Sequence, residues 1–449
     1  MDRNIEAVPA IEAFGRARGN RLRRYPSPER DGDRLYPLAA PTASPSFAIE
    51  DGDTIFAIGS CFARNVERAL DAAGRRVVSR EFELGEIGES LGEAANFFNK
   101  YSIHSVLNEL GWALDRDSFP GADILYDTGG GRFSDAQLGM ARLDFPVETI
   151  LDFRHRYLDA MARVAEAEAD VVIVTLGYVE TWYDRKLQLY LNVAPPQAAV
   201  KAEPERFEFR VLSYADVLDG LERLHALLLR HRAKPLKMLV TVSPVPLLAT
   251  FREMDVLVAN AYSKSVQRAA IEEFVATREG VDYFPSYEFV TLSNPAVAWS
   301  RNDYRHVSPD LVNRIMSNVL DRYVARPRGA EAPAEMSLDA LLSSMRMLAR
   351  LDDHAALRDL ARQQRDLVEN SIDALMLEAT AARRLGDLDG AHEVLLRAAE
   401  LAPTRPDPVE RLITLCRPLK RHEEARALCD RHARDFPERE AFRERLDWL

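Results

Sequence analysis

Two kinds of hydrophobic spacing alternate through residues 46–326. Short runs are apolar on both parities. Longer stretches repeat apolar residues at intervals of three and four. The short runs are Thr54-Ile55-Phe56-Ala57-Ile58, Val77-Val78, Asp170-Val171-Val172-Ile173-Val174-Thr175, Lys237-Met238-Leu239-Val240-Thr241-Val242 and Val281-Asp282-Tyr283-Phe284. A strand covered on both faces is apolar at odd and even positions alike, so the best of these runs predict buried parallel strands. The longer stretches predict helices over 61–74, 102–114, 147–168, 214–232, 255–276 and 308–324. Alternation of the two implies an α/β fold with three layers, helix, parallel sheet and helix. Ligands of such sheets bind beyond the carboxyl ends of the strands. Ser60, Gly177 and Ser243 each follow a predicted strand and are expected to share that rim.

The pattern changes at both ends. Residues 1–45 are rich in Arg, Pro and Asp and predict an extended or partly disordered arm. Residues 327–336, with Pro327, Gly329 and Pro333, predict a linker. Residues 337–449 are helical in pattern and repeat themselves. Leu385, Ala391, Ala399 and Pro403 recur 34 positions later as Leu419, Ala425, Ala433 and Pro437. That period and layout resemble tetratricopeptide repeats, in which small residues sit where stacked helices meet. An all-α repeat domain with a possible protein partner is the expectation here.

Composition narrows the function classes. The net charge of −12 over 449 residues argues against nucleic acid or an anionic membrane as the main partner. Cys61, Cys416 and Cys429 are too few and too scattered for a disulfide framework or a structural zinc site, and they suit a reducing compartment. The charged start lacks the apolar stretch of a signal peptide, and no run approaches the roughly 20 apolar residues of a membrane span. A cytoplasmic protein without metal or cofactor is expected. Neither a dinucleotide glycine motif nor a phosphate loop follows a predicted strand.

The candidate chemistry begins at Gly59-Ser60-Cys61-Phe62-Ala63. Gly59 allows a sharp turn at the strand end. The Ser60 hydroxyl would then project over the rim, with the N–H groups of the following helix near a developing oxyanion. The plainer role for Ser60 is to cap that helix. Far along the chain, Asp303 and His306 stand three apart, just before the helix opened by Ser308-Pro309. A carboxylate on one ring nitrogen leaves the other free to act as base toward a nucleophile. Cys61 is the rival nucleophile, because a thiol at a helix N-terminus has a lowered pKa.

These residues, in this order, resemble the SGNH (GDSL-like) hydrolases, and Gly59-Ser60-Cys61-Phe62-Ala63 spells the motif of the GSCFA family, which looks like a bacterial branch of that superfamily. Further stretches are similar to the same family: Asn99-Lys100-Tyr101-Ser102, Thr175 to Trp182, Ser243-Pro244-Val245-Pro246-Leu247, Ala259 to Ser265, Tyr283 to Glu288, and Arg305-His306. The resemblance implies Ser60 as nucleophile, His306 as base and Asp303 as its orienter. It also implies acyl-ester chemistry through an acyl-enzyme, on a small molecule or glycan. The superfamily completes its oxyanion hole with a Gly N–H and an Asn amide. Here Gly177-Tyr178-Val179-Glu180 stands at that block, and Val179 cannot donate. Asn99, or as a lesser alternative Asn96, is then the expected substitute. Glu180 is expected to bond a substrate hydroxyl, to brace the Asp303 loop or to be a structural carboxylate, and Trp182 to offer a stacking surface or, more simply, to pack in the core or rim. The alternative is a catalytically degenerate protein that binds a glycan or partner.

Overall fold

The computed structural model describes residues 4–27, 34–83, 94–138, 143–232, 234–300, 303–324, 338–350, 353–446 and 448. The chain divides into two compact units, Met1–Arg328 and Gly329–Leu449. The predicted linker at 327–336 lies outside the described residues.

The first unit is built on ten strands: β1 (Thr54–Gly59), β2 (Arg76–Val77), β3 (Leu125–Gly129), β4 (Arg132–Asp135), β5 (Val171–Leu176), β6 (Glu180–Asp184), β7 (Leu189–Leu191), β8 (Phe207–Val211), β9 (Lys237–Val242) and β10 (Val281–Tyr283). Five of them form one parallel sheet in the order β10-β9-β5-β1-β2. All six residues of β5 are buried, as are all six of β1. That is the reason for their doubly apolar runs: each strand has helices over both faces. Phe56, Ile58, Val172, Val174, Met238 and Val240 cluster with residues of the Ile103–Leu114, Val147–Arg163, Tyr214–Arg230 and Val256–Ala276 helices. The opposite parity, Ile55, Ala57, Ile173 and Leu239, is equally withdrawn from solvent. On that side the Ala63–Ala72 helix packs against the Pro309–Tyr323 helix. Each fully buried aliphatic side chain stabilises such a core by about 1.5–3 kcal/mol.

The topology creates the site. In chain order the core strands lie second, first, third, fourth, fifth across the sheet. Successive connections therefore run in opposite directions on either side of the β1–β5 pair. The helices leaving these two strands part there and open a crevice at their carboxyl ends. Ser60 stands at that opening.

Two features differ from the sequence expectation. A hairpin of β3 and β4 and an antiparallel sheet in the order β7-β6-β8 are inserted around the parallel core. Their short strands are only half-buried, so their hydrophobic alternation is weak. The N-terminal arm is not simply extended: Ala10–Gly19 is a helix with no buried residue. Good helix formers such as Ala10, Glu12 and Ala13 form it without a core to rest on.

In the second unit, helices Ile372–Arg384, Leu388–Leu401, Pro406–Leu419 and His422–Asp435 follow one another and pack in sequence. Ala391 and Ala425, the repeated pair, are both completely buried in the first turns of their helices. Their lack of bulk lets adjacent helices approach. The fold also gathers His392, Cys416 and Glu424, whose ligand atoms lie within 4.8 Å of one another. Arg421 Nη1 sits 3.2 Å from both ring nitrogens of His392 and places a fixed cation at that cluster.

Candidate active site

Gly59 ends β1 with a φ of +133°, a region that other residues rarely adopt. A side chain there would also collide with Thr175 on the neighbouring strand, whose backbone nitrogen lies 2.7 Å from the Cβ position. Glycine is required twice over, by conformation and by space. The turn delivers Ser60, whose N–H donates to the Thr175 carbonyl at 2.8 Å. Its side chain is buried. The Ser60 Oγ lies 3.0 Å from Thr175 Oγ1 and accepts the Phe62 N–H at 3.3 Å. The following helix starts at Ala63 with Phe62 as its N-cap and no side-chain cap, so the capping role expected of Ser60 is not filled.

His306 lies on the loop before the Pro309–Tyr323 helix. Asp303 organises that loop through three bonds. Its Oδ1 accepts the N–H groups of Arg305 at 2.9 Å and His306 at 2.8 Å, and its Oδ2 meets His306 Nδ1 at 2.5 Å. The two backbone N–H groups, and then the imidazole, hold the Asp303 carboxyl down at about 2. It is ionised throughout the neutral range. The imidazole is therefore oriented through Nδ1, and Nε2 remains for other work.

Ser60 and His306 line one cavity of about 1280 Å³. Gly177 and Ser243, predicted to share the rim, line it too. Among the described contacts, Ser60 and His306 make no direct hydrogen bond.

The remaining candidates fall into place unevenly. Asn99 bridges to Gly59 through its backbone. Its amide is 1% exposed, and neither its oxygen nor its nitrogen has a partner. It is not on the cavity lining and lies beside the strand that ends at Gly59. Asn192 clamps this segment by donating to the Asn99 carbonyl and accepting the Tyr101 N–H, both at 2.9 Å. Nothing in the sequence around Asn192 signals that role. Gly177 has no free N–H, since both it and Tyr178 donate to the Tyr101 carbonyl at 3.1 Å. Glycine is needed at 177 because a Cβ would stand 2.8 Å from that same carbonyl.

Glu180 lines the cavity and is held as a structural carboxylate. It accepts from Thr250 Oγ1 at 2.7 Å and the Phe251 N–H at 3.3 Å, and so braces the loop after β9. Trp182 is on the cavity wall, packed edge-on against Phe251 and Phe209 with ring centroids 5.1 and 5.5 Å away. Cys61 lines the same cavity, but the expected lowering of its pKa does not occur. The residue is exposed by surface area, yet the protein packed about its thiol pushes it up, against the opposing pull of Lys264 and Arg305. Desolvation exceeds the helix-terminus effect. The Cys61 N–H, in contrast, has no partner beyond its own thiol, while Phe62, Ala63 and Arg64 N–H groups are all engaged.

Beneath the rim lies Lys264, completely buried. Its Nζ donates to the carbonyls of Gly177 at 2.6 Å and Val245 at 2.8 Å, tying the segments that follow β5 and β9. Burial lowers it to about 7.

Comparison with known proteins gives one assignment. No curated protein matches the chain. The GSCFA family model matches residues 54–319, more than half the chain, from the first residue of β1 to the last turns of the Pro309–Tyr323 helix. The match includes Ser60, Asp303 and His306, and on it the chain belongs to the GSCFA family.

Proposed function

We propose that the first unit is an SGNH-type serine esterase or acyltransferase. One observation carries the reading: Ser60 and an imidazole oriented by an ionised carboxylate open into the same cavity at the crevice of a parallel sheet. In the proposed reaction His306 Nε2 removes the Ser60 proton, and Ser60 Oγ attacks an ester carbonyl. The tetrahedral oxyanion collapses, the alcohol leaves with the proton from His306, and the acyl group stays on Ser60. Water or a second hydroxyl then takes the acyl group. The Cys61 N–H is a backbone donor for the oxyanion, and the Asn99 amide, unpartnered among the described residues, is a side-chain candidate. Trp182, Phe209, Phe251 and Leu247 supply an apolar wall for an acyl chain or a sugar face. The second unit is read as tetratricopeptide-like repeats that hold a protein partner.

A fluorophosphonate probe tests this. Ser60 should be labelled in the wild type and remain unlabelled in His306→Ala, with folding confirmed by circular dichroism. Absence of labelling and of hydrolysis across short acyl esters would remove the catalytic reading.

A non-catalytic binding role has its own support. The Ser60 hydroxyl is committed to Thr175 and Phe62, and the Gly177 N–H is committed to Tyr101. That role predicts ligand binding that survives Ser60→Ala and His306→Ala together.

A further inference from the structure

Among the described residues, the cavity wall carries a cation with no ion-pair partner. Arg305 lines the cavity next to His306, and its Nε is buried without a hydrogen-bond partner. Ser60, Cys61 and Tyr101 line the same cavity as Arg305. The carboxylates that could neutralise it are occupied. Asp303 takes only the backbone N–H of Arg305 and gives its other oxygen to the imidazole. Glu180, the carboxylate on the lining among the described residues, is held by Thr250 and Phe251. Arg68, the second arginine on the wall, is satisfied by Asn65 Oδ1 at 2.6 Å and the Arg64 carbonyl at 3.2 Å. Lys264 adds a cation under the floor with carbonyl partners alone.

Arg305 lines the cavity, and a guanidinium there offers a fork of N–H donors suited to a planar or tetrahedral oxyanion group. The geometry points to Arg305 as the residue that binds an anionic substituent of the substrate, a carboxylate or a phosphate carried close to the ester. This rests on the esterase reading for the ester and on the cavity alone for the anion. The substrate is thus an acidic ester, with apolar contacts to the Trp182–Phe251 wall and its charge on the opposite side at Arg305. An acceptor or acyl group bearing the acid satisfies the geometry equally.

The test separates the two layers. Matched p-nitrophenyl esters, butyrate and the glutarate monoester, differ mainly in a terminal carboxylate. The wild type should favour the acidic ester in kcat/KM by about tenfold or more, the scale of a charge-assisted hydrogen bond. That ratio should fall to about one in Arg305→Ala and invert in Arg305→Glu against a quaternary-ammonium ester. Calorimetric titration of Ser60→Ala with glutarate and with inorganic phosphate reads the anion site without catalysis and separates the two chemistries. Binding of one of them, lost in Ser60→Ala/Arg305→Ala, supports the anion site even if no ester is cleaved, in which case the esterase reading alone fails. Ester cleavage with equal preference in wild type and Arg305→Ala, and no anion binding in Ser60→Ala, overturns the Arg305 proposal and leaves the esterase reading standing.

Discussion

Lys100 and Lys264 are both completely buried in the first unit, and the fold treats them in opposite ways. Lys100 donates to the carbonyls of Phe97 at 2.9 Å and Gln137 at 3.0 Å and lies 3.6 Å from Glu109. Glu109 also takes Arg154 Nη1 at 2.7 Å, and Arg154 Nε lies 3.2 Å from Asp135. Two cations meet two carboxylates, all withdrawn from solvent. Lys264 has carbonyl oxygens and, among the described residues, no carboxylate. The balanced cluster anchors the segment that carries Asn99. The unbalanced cation underlies the floor where the proposed chemistry gathers negative charge. Burial of charge serves the fold where it is neutralised and serves an incoming anion where it is not.

The contrast can be sharpened by experiment. Changes at the rim should cost rate and spare the fold. Ser60→Ala or His306→Ala should lower ester turnover by about a thousandfold or more while the urea midpoint stays close to wild type. Changes in the balanced cluster should do the reverse. Glu109→Gln leaves Lys100 and Arg154 short of a counter-charge and should lower unfolding free energy by about 3–5 kcal/mol, with the activity of the folded fraction largely kept. Asn99→Ala lies between the two regions. It removes an amide that bonds nothing in the resting protein, so stability should change little. Turnover should drop about a hundredfold if the amide turns to the oxyanion, and an unchanged rate would leave that task to the Cys61 N–H.

A further test separates the two lysines by pH. The folded-state value of Lys264 is about 7, below the ordinary 10.5 of the unfolded chain. Between those limits the unfolded chain binds a proton that the folded one lacks, so stability rises with pH. The cost of burial is full below about 7 and relieved above it. Lys264→Met should flatten the rise in urea stability between pH 7 and 10. Lys100, lowered to about 8, starts its own rise later. An unchanged slope in Lys264→Met would mean that the ammonium is better solvated than its burial implies.

Much of the site was legible in the chain, for reasons specific to each residue. Gly59-Ser60 follows an unmistakable strand, and its position at the sheet edge came from that strand. The Asp303–His306 spacing is short enough for one loop to close the contact. Other features depended on remote partners. Val171–Leu176 announces its burial, but nothing in it foretells that Thr175 would hold the Ser60 hydroxyl. Glu180 was open in sequence between a substrate contact and a structural carboxylate, because its partners, Thr250 and Phe251, come about seventy residues later. The expected acidity of the Cys61 thiol failed for a related reason: the helix terminus is local and visible, whereas the desolvation that outweighs it comes from surrounding elements.

Hydrophobic period alone determined the parallel core and the helical second unit, because burial on one or two faces is written into neighbouring residues. Local motif spacing determined which side chains could be nucleophile, base and orienter. Only the tertiary structure decided which charges are balanced. Whether Arg305, Lys264 and Asn99 find partners depends on segments tens to hundreds of residues away, and electrostatic energy depends on distance through space rather than along the chain.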